Sequence, residues 1–193
     1  AFTIAVVALG AKMAKADGDV TENEVEAYKQ DLQVPPEEMK NVGRVFDMAR
    51  KDAAGYEPYA RQVARMFRDN PEVLEDLLHG LFHIAKADDV IHPAEIVYLE
   101  GVARILGFDE AGFQRIRAHH LPPDASDPYV ILGVAHDASN EEVRDTYRAL
   151  VRENHPDKLI ARGLPEEFVA LGTEKLAHFN EAYRRIRRQR GLV

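Results

Sequence analysis

Apolar residues recur at steps of three and four along nearly the whole chain, the spacing that places them on one face of an α-helix. No stretch keeps up the alternation of apolar and polar residues that is typical of a half-buried strand. The predicted fold class is therefore all-α. Helices are predicted near residues 2–16, 22–32, 37–51, 57–68, 71–87, 93–106, 109–119, 128–132, 140–153 and 165–182, with a short basic helix continuing to about residue 189.

Local signals support several of these helix ends. Thr21 with Glu24, and Ser139 with Glu142, have the spacing of a capping box, in which two side chains satisfy backbone N–H groups at a helix start. Gly133 lies where the helix predicted at 128–132 should end, because glycine readily adopts the left-handed conformation of a helix C-terminus.

A proline-rich stretch, Leu-Pro-Pro-Asp-Ala-Ser-Asp-Pro at residues 121–128, is the clearest domain boundary, since adjacent prolines cannot continue a helix. The predicted organisation is a helical domain at 1–120, a linker at 121–126 and a second domain at 127–193. The first domain contains an internal pseudo-repeat, because residues 14–25 align without gaps to residues 85–96. Each copy reads as the end of one helix, an acidic turn and the start of the next, so the prediction is a bundle of two related helical hairpins.

Composition excludes several kinds of function. The 193 residues include no cysteine, which rules out disulfides, thiolate zinc sites, iron–sulfur clusters and a cysteine nucleophile. The formal net charge of -8 argues against general nucleic-acid binding, which needs basic residues to neutralise phosphates. With no phosphate-binding glycine loop either, hydrolase and nucleotide-binding functions have little support, and we expect no cofactor and no nucleic-acid partner.

The helix predicted at 140–153 has two distinct faces. Val143, Tyr147 and Leu150 form an apolar stripe. Arg144, Arg148 and Arg152 recur every four residues and form an exposed arginine row. Such a row suits carboxylates on a partner, because each planar guanidinium can bind a carboxylate with two hydrogen bonds. The alternative is an ordinary solvated helix face.

The segment His155-Pro156-Asp157, called the tripeptide below, follows this helix directly. Pro156 disfavours helical angles at the residue before it, so the helix should end here and expose His155 and Asp157 on a rigid turn. By itself the tripeptide could be a plain helix-ending turn. Its neighbours make it more specific: the arginine row before it, Lys158 after it, and Asn-Glu-Ala-Tyr at residues 180–183 near the end of the returning helix.

These motifs together resemble the J domain of DnaJ-type co-chaperones, and residues 127–134, Asp-Pro-Tyr-Val-Ile-Leu-Gly-Val, resemble that family's opening helix. The resemblance implies that the second domain binds a DnaK-class chaperone and stimulates its ATPase, so that the protein is an activator of its partner and not an enzyme. It implies an activating tip at His155, Pro156 and Asp157 and a docking surface that includes Lys158, Arg144, Arg148 and Arg152. Asp145 and Ala149 occupy positions where many family members carry basic residues, which implies weaker docking.

A C-terminal J domain after an acidic helical domain, with the insert at residues 159–165, resembles the DnaJ-like protein A group, in which a TerB-like domain comes first. The first domain would then recruit a client protein or regulator. We expect a cytoplasmic protein, because the apolar segment at residues 2–9 is far below the roughly 20 residues needed to cross a bilayer. Membrane attachment would require an anchor before Ala1.

The acidic turns of the repeat leave a second function open. A divalent cation could bind carboxylates in either copy, and the alternative is that these side chains accept hydrogen bonds from their own turns. The metal-ligand candidates are Asp17, Asp19, Glu22, Glu24, Asp88, Asp89 and Glu95. In that case the protein would be a metal-responsive stress adaptor. The turn is not an EF-hand, because Glu22 stands where that loop needs glycine.

Overall fold

A computed structural model describes residues 2–14, 39–52, 55–86, 91–122, 125–162, 164 and 166–192. These ranges contain helices and no strand, so the predicted all-α fold is confirmed. The helices are α1 (Phe2–Ala14), α2 (Met39–Lys51), α3 (Glu57–Met66), α4 (Pro71–Ala85), α5 (Pro93–Leu106), α6 (Glu110–Ala118), α7 (Pro128–Leu132), α8 (Asn140–Glu153), α9 (Pro156–Ala161) and α10 (Glu166–Gln189). The helix predicted at 22–32 lies outside the described residues.

The chain forms two compact units, Ala1–Asp109 and Glu110–Val193. Packing therefore groups α6 with the second unit, whereas the predicted domains place residues 110–118 in the first. The division at 1–120, 121–126 and 127–193 remains a prediction about the domains that the sequence encodes.

The first unit is built around α1, which contacts α2, α3 and α4. Val6, Val7 and Leu9 have no solvent exposure, so the apolar segment at residues 2–9 belongs to a buried helix. No helix in the described part of the chain is long and apolar enough to cross a membrane. The apolar stripe of α4 supplies the facing side of the core, with Leu77, Leu78 and Leu81 fully buried.

The structure describes only part of the internal repeat. In the second copy, α4 ends at Ala85, the first residue of that copy. The turn of the first copy and residues 87–90 of the second lie outside the described residues. Within the second copy, Pro93 begins α5, where its missing N–H removes no helical hydrogen bond.

The second unit has one core shared by α6, α7, α8 and α10. Its buried members are Ala118, Tyr129, Ile131, Leu132, Val143, Phe179, Ala182 and Ile186. Helix α7 is short and well defined at both ends. The Asp127 carboxylate accepts a hydrogen bond from the Tyr129 N–H at 2.9 Å, and Gly133 ends the helix with a φ of 68°. His119, just after α6, packs edge-on against the Phe179 ring at 4.9 Å between centroids.

Arg190, immediately after α10, ties the end of that helix to the loop between α7 and α8. Its guanidinium donates hydrogen bonds to the carbonyl oxygens of Ala138 at 2.7 Å and His136 at 3.1 Å. It also donates to the Tyr129 hydroxyl at 3.0 Å and to the Asn140 side-chain oxygen at 2.8 Å. The basic end of the chain thus contributes one arginine to the fold of the second unit.

Two predicted elements differ from the structure. Helix α9 was not expected, because Pro156 indicated the end of α8, and the same proline also begins a helix of six residues. The returning helix was expected to end near residue 182 before a separate basic helix. It instead runs without interruption from Glu166 to Gln189.

Candidate functional site

The start of α8 is held by the predicted capping box. The Ser139 hydroxyl accepts from the Glu142 N–H at 3.2 Å, and the Glu142 carboxylate accepts from the Ser139 N–H at 2.7 Å. Hydrogen bonds from Ser139 stabilise the charged carboxylate of Glu142, the backbone N–H more strongly than the hydroxyl. The pKa of Glu142 therefore lies below its usual value. This cap fixes where α8 begins, and therefore which residues occupy its exposed face.

Contacts between α8 and α10 fix the rotation of α8. The Tyr147 hydroxyl donates to the Asn180 side-chain oxygen at 2.8 Å. The Tyr147 and Tyr183 rings stack with centroids 4.1 Å apart and planes only 3° from parallel. Val143 is buried in the shared core on the same side of α8. With that side held against α10, the arginine row is turned toward solvent.

The tripeptide lies at the junction of α8 and α9. His155 is the N-cap of α9, with extended backbone angles (φ -65°, ψ 139°), and its Nδ1 accepts a hydrogen bond from the Asp157 N–H at 3.3 Å. That acceptor role leaves Nε2–H of the neutral ring as a donor for a partner. The Asp157 side chain is 87% exposed. The tripeptide therefore presents a donor and a carboxylate on a constrained backbone.

Helix α9 is seated on α10 by close packing. The Leu159 side chain is buried and lies so near Gly172 of α10 that a Cβ atom at position 172 would overlap Leu159 Cδ1. At the other end of the junction, the buried Asn154 side chain donates from Nδ2 to the Leu150 carbonyl oxygen at 2.9 Å. The tripeptide is thus fixed on both sides by buried residues.

Glu153, the last residue of α8, connects the two sides of the tripeptide electrostatically. Its carboxylate lies 3.4 Å from Arg162 and 3.9 Å from Lys158, both beyond the tripeptide. It also lies 3.4 Å from Arg152 of the arginine row. The pairs with Arg152 and Lys158 are exposed and therefore weak, about 0.2–1 kcal/mol each, whereas the Arg162 side chain is half-buried. As a set they favour one orientation of α9 against the end of α8.

An open groove of about 440 Å³ lies between α8 and the tripeptide. The apolar parts of Tyr147 and Val151 line it, together with polar and charged side chains. These are Arg148 and Arg152 of the arginine row, His155, Asp157 and Lys158. Arg148 and Arg152 are largely exposed, with side chains 68% and 71% accessible. Five of the seven predicted partner-binding residues therefore meet in one place. Arg144 and Pro156 do not line the groove.

The metal-ligand candidates fall mainly outside the described residues, namely Asp17, Asp19, Glu22, Glu24, Asp88 and Asp89. Glu95 is described, and its carboxylate accepts from the His92 N–H at 2.8 Å at the start of α5. This is a helix-capping role. Across the described ranges, no group of three or more histidine, aspartate or glutamate side chains is arranged to hold a metal ion.

Two family models match the sequence in the predicted order. Tellurite resistance protein TerB matches residues 3–118, and the DnaJ domain matches residues 127–188. The TerB match includes α6, which packs with the second unit. The boundaries given by sequence family and by packing are therefore different in this chain.

Curated relatives match nearly the whole chain. Co-chaperone protein DjlA of Coxiella burnetii is 30% identical over 94% of this chain and 74% of the relative. The protein of the same name from Photobacterium profundum is 29% identical over 99% of this chain and 78% of the relative. The chain belongs to the DjlA family. No solved structure matches the chain significantly.

Several residues of the site were not predicted from the sequence. The pairing of Glu153 with Arg162 and Lys158 and the burial of Asn154 were not predicted, and Leu159 was read only as part of an insert. One signal was available for the packing of α9. Gly172 lies inside a predicted helix, where glycine is unfavourable by about 1 kcal/mol relative to alanine, so it indicates a close approach by another element.

Proposed function

We propose that this DjlA-family chain is a co-chaperone whose J domain docks on a DnaK-class chaperone and stimulates ATP hydrolysis by that partner. The observation that carries the proposal is the exposed tripeptide at the N-terminus of α9, placed beside the arginine row across one groove. On this proposal, the groups that catalyse ATP hydrolysis belong to the chaperone. Stimulation would arise because docking favours the hydrolysis-competent conformation of the chaperone.

The charges of the groove support a division of roles. Arg148 and Arg152 offer guanidinium groups to carboxylates on the chaperone, which would provide affinity and orientation. Asp157 offers a carboxylate to a cation of the partner, and His155 offers a ring N–H. The packing of Leu159 against Gly172 fixes the backbone that carries these two groups, so little backbone ordering would be needed on binding.

The TerB-like part is proposed to recruit a client protein or a regulator. The support is the packing of Ala1–Asp109 as a compact unit of its own, with a core around α1 that uses no residue of the groove. A chain lacking this part should then keep ATPase stimulation and lose delivery of the client. Crosslinking of the full chain to its client should map to the first unit.

The direct test uses single-turnover ATP hydrolysis by a purified DnaK-class chaperone with and without the full chain. Wild type should accelerate hydrolysis, and His155→Gln should abolish the acceleration, because glutamine does not reproduce the imidazole cap. Circular dichroism and the NMR signals of core residues such as Val143 and Phe179 would show that the variant is folded. Equal acceleration by wild type and by His155→Gln would contradict the proposal.

A further inference from the structure

Each member of the arginine row has a carboxylate of its own helix within ion-pairing distance. Arg144 lies 3.5 Å from both Glu141 and Asp145. Arg148 lies 3.8 Å from Asp145, and Arg152 lies 3.4 Å from Glu153. The row that would receive carboxylates from a partner is therefore already paired with carboxylates inside the protein.

Asp145 is the shared member of these pairs. A single oxygen, Oδ1, is near both Arg144 Nε and Arg148 Nη1, so one carboxylate reduces the positive charge at two neighbouring arginines. Its side chain is 59% exposed, on the face from which a partner would approach. A carboxylate brought to Arg148 by a partner would have to displace Asp145, and would also be repelled by it.

The other two carboxylates have different positions. Glu141 reaches only Arg144, which lies outside the groove. Glu153 also pairs with Lys158 and Arg162, so its removal would disturb the seating of α9 as well as the charge of the row. Asp145 is therefore the residue whose effect on the charge of the row can be separated from effects on structure.

We propose that Asp145 attenuates docking by competing, as an internal carboxylate, for the arginines that bind a carboxylate-bearing surface of the DnaK-class chaperone. This inference rests on the proposed function and adds a residue that sets the strength of the interaction. Binding becomes an exchange of ion pairs, in which an internal pair is broken for each one formed with the partner. The complex would be weaker and shorter-lived than the three arginines alone would make it.

The test compares Asp145→Asn with Glu174→Gln in the full chain. Both substitutions remove one negative charge, and Glu174 is an exposed residue of α10 away from the groove. The readout is the concentration of co-chaperone that gives half-maximal stimulation of single-turnover ATP hydrolysis. For Asp145→Asn, this half-saturating concentration should fall by about 1.5- to 5-fold, the range expected for releasing an exposed ion pair. The maximal rate should be unchanged, and Glu174→Gln should behave as wild type.

A second comparison, in an Arg148→Gln background, identifies the route of the effect. If Asp145 acts through this arginine, adding Asp145→Asn should improve half-saturation there by clearly less than it does in the wild type. The inference is overturned if Asp145→Asn and Glu174→Gln give the same half-saturation, or if the improvement is undiminished without Arg148. Absence of any stimulation by wild type would instead overturn the proposed function, and this inference with it.

Discussion

Replacing Arg190 tests how much its hydrogen bonds contribute to the stability of the second unit. The guanidinium makes four hydrogen bonds, two of them to backbone carbonyls at 2.7 and 3.1 Å, and lies 5.2 Å from the centre of the Tyr129 ring. A hydrogen bond from a charged group contributes about 1.5–3 kcal/mol when well shielded. Arg190 is only half-buried, and water can replace its hydrogen bonds to the loop. We therefore expect Arg190→Ala to lower the free energy of unfolding of this unit by about 1–3 kcal/mol in total.

The measurement is urea unfolding of the full chain, followed by NMR signals of Leu132 and Ile186 in the core of the second unit. With a slope of about 1 kcal/mol per molar urea for a unit of this size, the midpoint should fall by roughly 1–3 M. Arg188→Ala is the matched control, because it removes the same charge from an exposed position two residues earlier. Arg190→Lys keeps the charge and loses the planar fork, and should show most of the loss. Equal midpoints for Arg188→Ala and Arg190→Ala would refute the reasoning, as would an Arg190→Lys variant as stable as wild type.

Two further predictions concern the support of the tripeptide and the extent of the second unit. Gly172→Ala should destabilise this unit by about 1–2 kcal/mol, because overpacking against Leu159 outweighs the gain of up to about 1 kcal/mol in helix propensity. Gly172→Ala should also weaken ATPase stimulation, whereas Thr173→Ala, at the neighbouring exposed position, should change neither stability nor stimulation. Thermal unfolding measures the stability and the ATPase assay measures the stimulation. A Gly172→Ala variant at least as stable as wild type would contradict the packing argument. A fragment of residues 110–193 should melt several degrees above a fragment of residues 127–193, because α6 contributes to the shared core. A change of about 1 kcal/mol in the free energy of unfolding corresponds to about 4–8 °C in melting temperature at this size. Equal melting temperatures by circular dichroism would show that α6 adds nothing to the stability of the J domain.

Local sequence chemistry accounts for much of the fold. The Ser139–Glu142 capping box and the glycine after α7 each involve residues close together in the chain, so their geometry follows from backbone constraints alone. The arginine row could be predicted from the helical repeat of α8 alone, because its members are four residues apart. The residues predicted for the groove likewise come from one helix and the turn that follows it.

Other features could not be predicted from local sequence, because they depend on distant residues or on the conformation of side chains and turns. Arg190 reaches Ala138 across 52 positions of sequence, and no local pattern distinguishes it from the other arginines at the end of the chain. The pairing of Asp145 with two arginines needed side-chain geometry, because a residue one position from Arg144 and three from Arg148 can turn toward either or neither. The short helix α9 was missed because a proline that ends one helix can also begin another.

In the proposed function, the arginine row provides docking and the tripeptide provides activation. The most direct measurement is a titration of the single-turnover ATPase rate of a DnaK-class chaperone with wild type, Arg148→Gln and His155→Gln. Arg148→Gln should raise the half-saturating concentration several-fold and reach the wild-type maximal rate, because an exposed guanidinium contributes affinity alone. His155→Gln should fail to accelerate hydrolysis even at saturating concentration. A His155→Gln curve that reaches the wild-type maximum, or an Arg148→Gln curve that loses its maximum while its half-saturation is unchanged, would contradict the account.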